Sequence, residues 1–228
     1  MADFKDNFFL LFSSFSSKLA LFRSVTEQAQ LVSPEFTVLG ADSDESCMGA
    51  QKTEKFIKMP LIRDLSRQGV IDYCKKNNIR FIIPTRDAEL FFWAEQEKYL
   101  LGEGVGVMIS TCHAISVCED KFKFFQHLKD APIQPIETYL SPHDISSENE
   151  RFVVKERSGS ASRLISLNTK RDELDLFSSR LTDPIFQPQI TGREFSAETW
   201  IDQEGKCHGV VLRWRIKVVE GESHETVT

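Results

Sequence analysis

The chain has 228 residues, 41% of them apolar and 27% charged, with a formal net charge of −6. This is the composition of an ordinary folded protein, long enough for two small domains or one larger core. Lys and Arg are spread along an acidic chain, which argues against nucleic acid as a partner. No apolar run approaches the length of a membrane span, so no membrane partner is expected either.

The N-terminus, MADFKDNFFLLFSSF, places acids before a short apolar run and lacks a basic leader region. It reads as a first buried strand, Phe8 to Phe12, rather than a signal peptide. Residues 16–30 carry Leu19, Ala20, Phe22, Val25 and Ala29 at helical spacing, with serines available as caps. A second strand follows at 36–41 and ends in Asp42-Ser43-Asp44, completing a βαβ unit. The alternation continues with a helix at 70–77, a strand at 81–83 stopped by Pro84-Thr85, a helix at 87–101 and a strand at 105–110. Four strands alternating with helices predict a doubly wound α/β domain with a parallel sheet over residues 6–112. Ligands of such sheets bind beyond the carboxyl ends of the strands, here Ser13-Ser14, Asp42-Ser43, Thr85-Arg86-Asp87 and Ser110-Thr111. The first βα turn, Ser13-Ser14-Phe15-Ser16-Ser17, has no glycine. It therefore lacks the GxGxxG fingerprint of dinucleotide binding, which argues against a dehydrogenase. Five cysteines, Cys47, Cys74, Cys112, Cys118 and Cys207, form no CxxC pair and have no His at ligand spacing. They predict free, mostly buried thiols in a reducing cytoplasm and no metal site.

A helix is predicted from Cys118 to about Lys129, ended by Pro132 and Pro135. Ile136 to Leu140 reads as extended and 141–150 as a polar loop. The stretch FVVKERSGSASR, Phe152 to Arg163, then has a distinctive order. Apolar β-formers precede Lys155, the small residues Ser158, Gly159, Ser160, Ala161 and Ser162 follow, and Arg163 closes the run before a second apolar segment. Small residues let a backbone approach a ligand, and successive amides in such a loop can face an anion with a lysine as point charge. An ordinary hairpin with a flexible turn fits the same letters. Beyond it the sequence predicts a helix at 171–181, a strand at 184–190, and a long hairpin of Glu194–Ile201 and Cys207–Val219. This is an α+β region with an antiparallel sheet. Arg213 and Arg215 alternate on one face of the last strand, facing either an anion or solvent.

The order of these pieces resembles the ATP-grasp superfamily preceded by its usual pre-ATP-grasp domain. The resemblance is carried by FIIPTRDAEL, SVCEDKFKFFQHL, APIQPIETYL, FVVKERSGSASR and FQPQITGREFSAE, and covers almost the whole chain. The nearest relatives look like carbamoyl-phosphate-synthase-like and amino-acid ligase members. The resemblance implies a pre-ATP-grasp domain over residues 1–115 and an ATP-grasp domain, in part, over 116–228. It implies that ATP is the cofactor, that Lys121 reaches its phosphates, and that Lys155 lies near the α-phosphate and adenine N7. Ser158 to Ser162 match the loop closing over the β- and γ-phosphates, and Arg163 matches the arginine that ends it. Gln187 fits the acceptor for the adenine amino group, Gln189 or Ile190 backbone the remaining purine contacts, and Glu194 the carboxylate that receives the ribose hydroxyls. Relatives have proline where Glu156 stands and more glycine in the loop, and Pro188 lacks an N–H at the hinge.

The reaction so implied is ATP-dependent ligation. A carboxylate substrate attacks the γ-phosphoryl group, and an amine co-substrate displaces phosphate from the acyl phosphate. In the family, Mg²⁺ is held by acidic residues and an Asn on later strands. The ending GESHETVT resembles mid-domain sequence, so the Mg²⁺ ligands are expected outside this chain. The chain is expected to be an N-terminal fragment or split subunit, inactive alone, with a partner chain or self-association completing the sheet. A non-catalytic module that binds a nucleotide or partner is the alternative.

Overall fold

The computed structural model describes residues 8–146, 148–159, 165–219 and 222–228. The chain divides into two compact units, Met1–Ser116 and Val117–Thr228. Among the described residues, no helix is long and apolar enough to cross a membrane.

In the first unit, β1 (Phe9–Phe12), β2 (Thr37–Asp42), β3 (Phe56–Lys58), β4 (Ile79–Ile83) and β5 (Gly106–Val107) form one parallel sheet in the order β3-β2-β1-β4-β5. The helices are α1 (Leu19–Val32), α2 (Met48–Lys52), α3 (Arg67–Lys76) and α4 (Asp87–Gly102). Alternation along β1 explains the two layers. Leu10 and Phe12 pack with Phe22 and the partly buried Leu19, Val25 and Ala29 of α1. Leu11 faces the opposite way, into a core with Val70 and Cys74 of α3 and Trp93 and Leu100 of α4. The fold is therefore doubly wound, with a fifth strand that the sequence reading did not include. The segment α2–β3 supplies it: five helical residues and three strand residues are too short to display a period. The predicted strand at 105–110 shrinks to two paired residues, because pairing with β4 stops at Val107.

The serines after β1 do not cap α1, whose N-cap is Lys18 without a side-chain cap bond. Ser13 Oγ instead donates to Glu89 Oε1 at 2.8 Å, and Glu89 accepts as well from the Thr85 and Arg86 amides and from Trp93 Nε1 at 3.0–3.1 Å. Phe15 folds back under the sheet, its amide on Ala41 O. Its ring lies so close to Gly40 and Gly49 that a Cβ at Gly49 would come within 2.6 Å of it.

α5 (Cys112–Glu119) spans the division between the units. In the second unit, α6 (Lys121–Leu128) follows Asp120. The single predicted helix from Cys118 is thus two helices, broken where Asp120 adopts extended φ/ψ and caps α6 by accepting from the Phe122 and Lys123 amides, both at 3.0 Å. Of the predicted extended run 136–140, Tyr139 alone bridges, exchanging backbone bonds with Phe186. β6 (Arg151–Glu156) is central in an antiparallel sheet between β7 (Ser166–Lys170) and β8 (Pro184–Pro188). Phe152 and Val154 of β6 pack with Phe186, Ile145 and Leu174 of the short helix α7 (Leu174–Ser178). That helix, after a turn of 3₁₀ at Arg171–Glu173, is all that forms of the helix predicted over 171–181. β9 (Phe195–Ile201), β10 (Cys207–Val219) and β11 (Glu222–Val227) make a second antiparallel sheet, ordered β11-β10-β9.

Candidate functional site

Phe152 and Val154 turn one face of β6 into the apolar core, so Val153 and Lys155 occupy the other. The antiparallel register sets Gln187 opposite Val153 and Ile185 opposite Lys155, which puts these four residues on one face. Gln187, on β8, is 9% exposed and its side-chain amide donates to Thr138 Oγ1 at 2.8 Å. That bond fixes the amide, and the Gln187 carbonyl accepts no hydrogen bond among the described residues. Thr138 was not singled out from the sequence; its own hydroxyl also donates to Ile136 O.

Lys121 opens α6 and comes to the end of β6. Its amide donates to Arg157 O at 3.1 Å, and its ammonium donates to Arg157 O at 3.3 Å and Gly159 O at 2.9 Å. Gly159 has φ +104°, a region that favours glycine, which turns its carbonyl toward the lysine. Lys121 is also near Lys155. Burial pushes both ammonium groups below the ordinary lysine pKa, and the Lys121 charge lowers Lys155 further. Two like charges held together at the root of a small-residue loop would both gain from a neighbouring anion. Ser158, in the same loop, bridges to Asp120. The remaining residues assigned to the loop, Ser160, Ala161, Ser162 and Arg163, lie outside the described residues.

What holds Lys121 there is a pair that sequence reasoning missed. Arg157 grips Asp120 with two parallel bonds, Nε to Oδ1 at 2.8 Å and Nη2 to Oδ2 at 2.7 Å, and its guanidinium stands 5.6 Å over the Phe122 ring. The Arg157 bonds, with the Phe122 and Lys123 amides, hold the Asp120 carboxyl down at about pKa 2. Glu156, on the opposite face from Lys155, spends its carboxylate on the Thr182 and Asp183 amides at 2.8 and 3.0 Å. It secures the turn into β8 there, and its charge is still close enough to favour protonated Lys121.

The hinge residues are partly committed. The Gln189 amide donates to Arg151 O at 2.8 Å and its side-chain oxygen accepts from the Asn168 amide at 3.1 Å. The Gln189 N–H is therefore engaged within the sheet, and its side-chain amide also donates to Ile190 O at 3.5 Å, which leaves the Gln189 carbonyl and the Ile190 N–H for a ligand. Glu194 belongs to the other sheet, where its carboxylate pairs with Arg215, and Glu198 pairs with Arg213 in the same way. The two arginines do share one face of β10, and that face is an ion-pair ladder with β9. Among the described residues, no group of three His, Cys, Asp or Glu side chains has metal-holding geometry.

Residues 118–221 match the family described as ATP-grasp domain, and residues 10–108 match the PylC-like N-terminal domain. No curated protein matches the chain. Among solved structures it is similar to an L-amino acid ligase from Bacillus licheniformis, at 18% identity and a TM-score of 0.64, over 92% of this chain and 51% of the ligase. It is similar to an N5-carboxyaminoimidazole synthetase from Staphylococcus aureus, at 17% identity and a TM-score of 0.64, over 95% of this chain and 57% of the synthetase. It is also similar to the biotin carboxylase domain of 2-oxoglutarate carboxylase from Hydrogenobacter thermophilus, solved with MgADP, ADP and bicarbonate. There the identity is 11% and the TM-score 0.69, over 96% of this chain and 52% of that one. At these identities the likeness is one of fold, and the chain spans about half the length of each of the three.

Proposed function

We propose, from the match of residues 118–221 to the ATP-grasp domain and of residues 10–108 to the PylC-like N-terminal domain, that the chain takes part in ATP-dependent ligation of a small carboxylate to an amine. The observation that carries this reading is the convergence of Lys121 and Lys155 at the root of the Ser158–Gly159 loop. Two desolvated ammonium groups gain most from a polyphosphate, which supplies the charge they lack. Gln187 offers its carbonyl to the adenine amino group from the same face of the sheet as Lys155. Gln189 O and the Ile190 backbone complete the purine edge, and Glu194 receives the ribose by exchanging part of its Arg215 pairing for hydroxyl donors. Ser158 and Gly159 face the β- and γ-phosphates; Ser160, Ala161, Ser162 and Arg163, assigned to the same loop, lie outside the described residues.

In the reaction, a carboxylate oxygen attacks the γ-phosphorus as the bond to the β-phosphate oxygen breaks and ADP leaves. An amine then attacks the acyl carbon, the carbon–oxygen bond to phosphate breaks, and the amine loses a proton. The chain's cations hold the phosphates in line and spread developing charge. Mg²⁺ would supply further charge neutralisation when bound. Glu194 and Glu198 are each tied to an arginine, and among the described residues no group of three His, Cys, Asp or Glu side chains has metal-holding geometry.

The exposed apolar face of β9–β11, with Phe195, Leu212, Trp214 and Ile216, supports the view that further polypeptide covers this sheet in the working enzyme. Five free thiols support a reducing cytoplasm, although Cys74 alone is buried, against the expectation of mostly buried thiols. Hydroxylamine trapping tests the chemistry. The chain, supplied with ATP, a panel of carboxylates and an extract of its own cell, is expected to yield a hydroxamate that disappears with Lys155→Ala. A hydroxamate yield unaffected by that change would contradict the proposal. A module that only binds nucleotide would give binding without hydroxamate.

A further inference from the structure

We infer that Arg157 is a positioning residue for the polyphosphate end of the nucleotide: through Asp120 it fixes the start of α6, and so sets the Lys121 ammonium beside Lys155. The inference rests on the nucleotide reading above but assigns a role to residues outside it. Lys121 and Lys155 repel one another, and a long flexible lysine left to itself would swing toward water. Three features oppose that. The Asp120 carboxylate is 9% exposed as a residue and makes four bonds, two to α6 amides and two to the Arg157 guanidinium. The Arg157 backbone meanwhile accepts from the Lys121 amide, so arginine and lysine are tied at side chain and main chain at once. The Asp120–Ser158 bridge continues the same pairing into the loop, where Gly159 O receives the Lys121 ammonium. Helix start and loop root thus move as one piece, with the planar fork of Arg157 as the joint. Its guanidinium is spent on Asp120 and Phe122, with Asp183 a further 3.8 Å away, so Arg157 acts through Lys121 and does not itself meet the phosphates.

Calorimetric titration of the 228-residue chain with AMP, ADP and a non-hydrolysable ATP analogue tests this. Arg157→Ala is expected to weaken the ATP analogue about tenfold and leave AMP affinity unchanged, since the lost alignment concerns the outer phosphates. In a Lys121→Ala background the same change is expected to have no further effect, because the group being aligned is gone. Arg157→Lys restores only part, as a point charge cannot make the two-point contact. If Arg157→Ala fails to fold, Asp120→Asn carries the test, since asparagine keeps the helix cap but drops the charge. Equal weakening of AMP and ATP analogue, or the same loss with and without Lys121, would overturn the inference and leave Arg157 a structural residue. Loss of binding in Lys121→Ala and Lys155→Ala with none in Arg157→Ala would overturn it while sparing the nucleotide site. No loss in either lysine variant would overturn the site and the inference together.

Discussion

Asp120 and Arg157 stand 37 positions apart, and their pairing leaves no trace in composition, spacing or period. Lys121 and Lys155 were legible as cations flanking a loop, but their convergence depends on where that distant pair pins the helix. The pair also gives an acid-stability prediction. The folded Asp120 carboxyl titrates at about 2, below its ordinary value of 3.8. Its contribution is therefore complete above about pH 4 and is lost as the pH falls toward 2. Partial solvent screening limits it to about 1–2 kcal/mol. Thermal melting from neutral to acid pH is expected to fall less steeply in Asp120→Asn than in wild type through that window; parallel curves would contradict the assignment. Lys155 works at the other end of the scale. Its pKa is lowered in the free protein, and a bound anion raises it, so affinity for a nucleotide is highest while the lysine is protonated. Binding is expected to weaken with rising pH from below the point where an ordinary lysine titrates, about 10.4. Calorimetry at alkaline pH checks this, and an affinity constant up to that point would count against it. Gly159 has no neighbour within 4 Å of an added Cβ, so Gly159→Ala costs only backbone strain, about 1 kcal/mol. The strain is expected to appear as weaker nucleotide binding, by turning the Gly159 carbonyl away from Lys121, with little change in melting temperature.

At the scale of elements, what could be read from the sequence was what repeats. Buried runs such as FLLF in β1 and the apolar spacing of α1, α3 and α4 carry their own period. α2 and β3 are too short to repeat a period, and the break between α5 and α6 depends on Asp120 choosing a cap over a helical conformation. Glu89 ties the start of the serine-rich turn after β1 into the core through Ser13. Its carboxylate gathers donors from the end of β1, the end of β4 and α4 itself. Glu89→Ala leaves those buried donors unmatched and is expected to destabilise the first unit by about 3 kcal/mol or more. Urea unfolding followed by the fluorescence of buried Trp93 measures the loss, and an unchanged midpoint would show that water replaces the carboxylate. Gly40 faces the core on the α1 side: a side chain there meets the Phe15 ring, so Gly40→Ala is expected to cost about 1–3 kcal/mol by overpacking.

Across the whole molecule, the two units differ in how fully their sheets are covered. The first sheet has helices packed on both faces, whereas β10 alternates between the ion-paired arginines on one face and Leu212, Trp214 and Ile216 on the other, all at least 37% exposed. Phe195 of β9 joins that face, its ring 5.6 Å from that of Trp214. An apolar face of this extent favours association. Sedimentation of the chain is expected to show concentration-dependent self-association that Leu212→Lys with Ile216→Lys abolishes; a monomer at every concentration would contradict this. The sequence pattern announced the hairpin and its alternation, but not the bareness of its face, which is a property of what packs where. The nucleotide site itself is tested most directly by titrating an ATP analogue into wild type and Lys155→Ala. The account predicts saturable binding to wild type and a loss of tenfold or more in the variant. Equal affinities, or no binding to wild type, would contradict it.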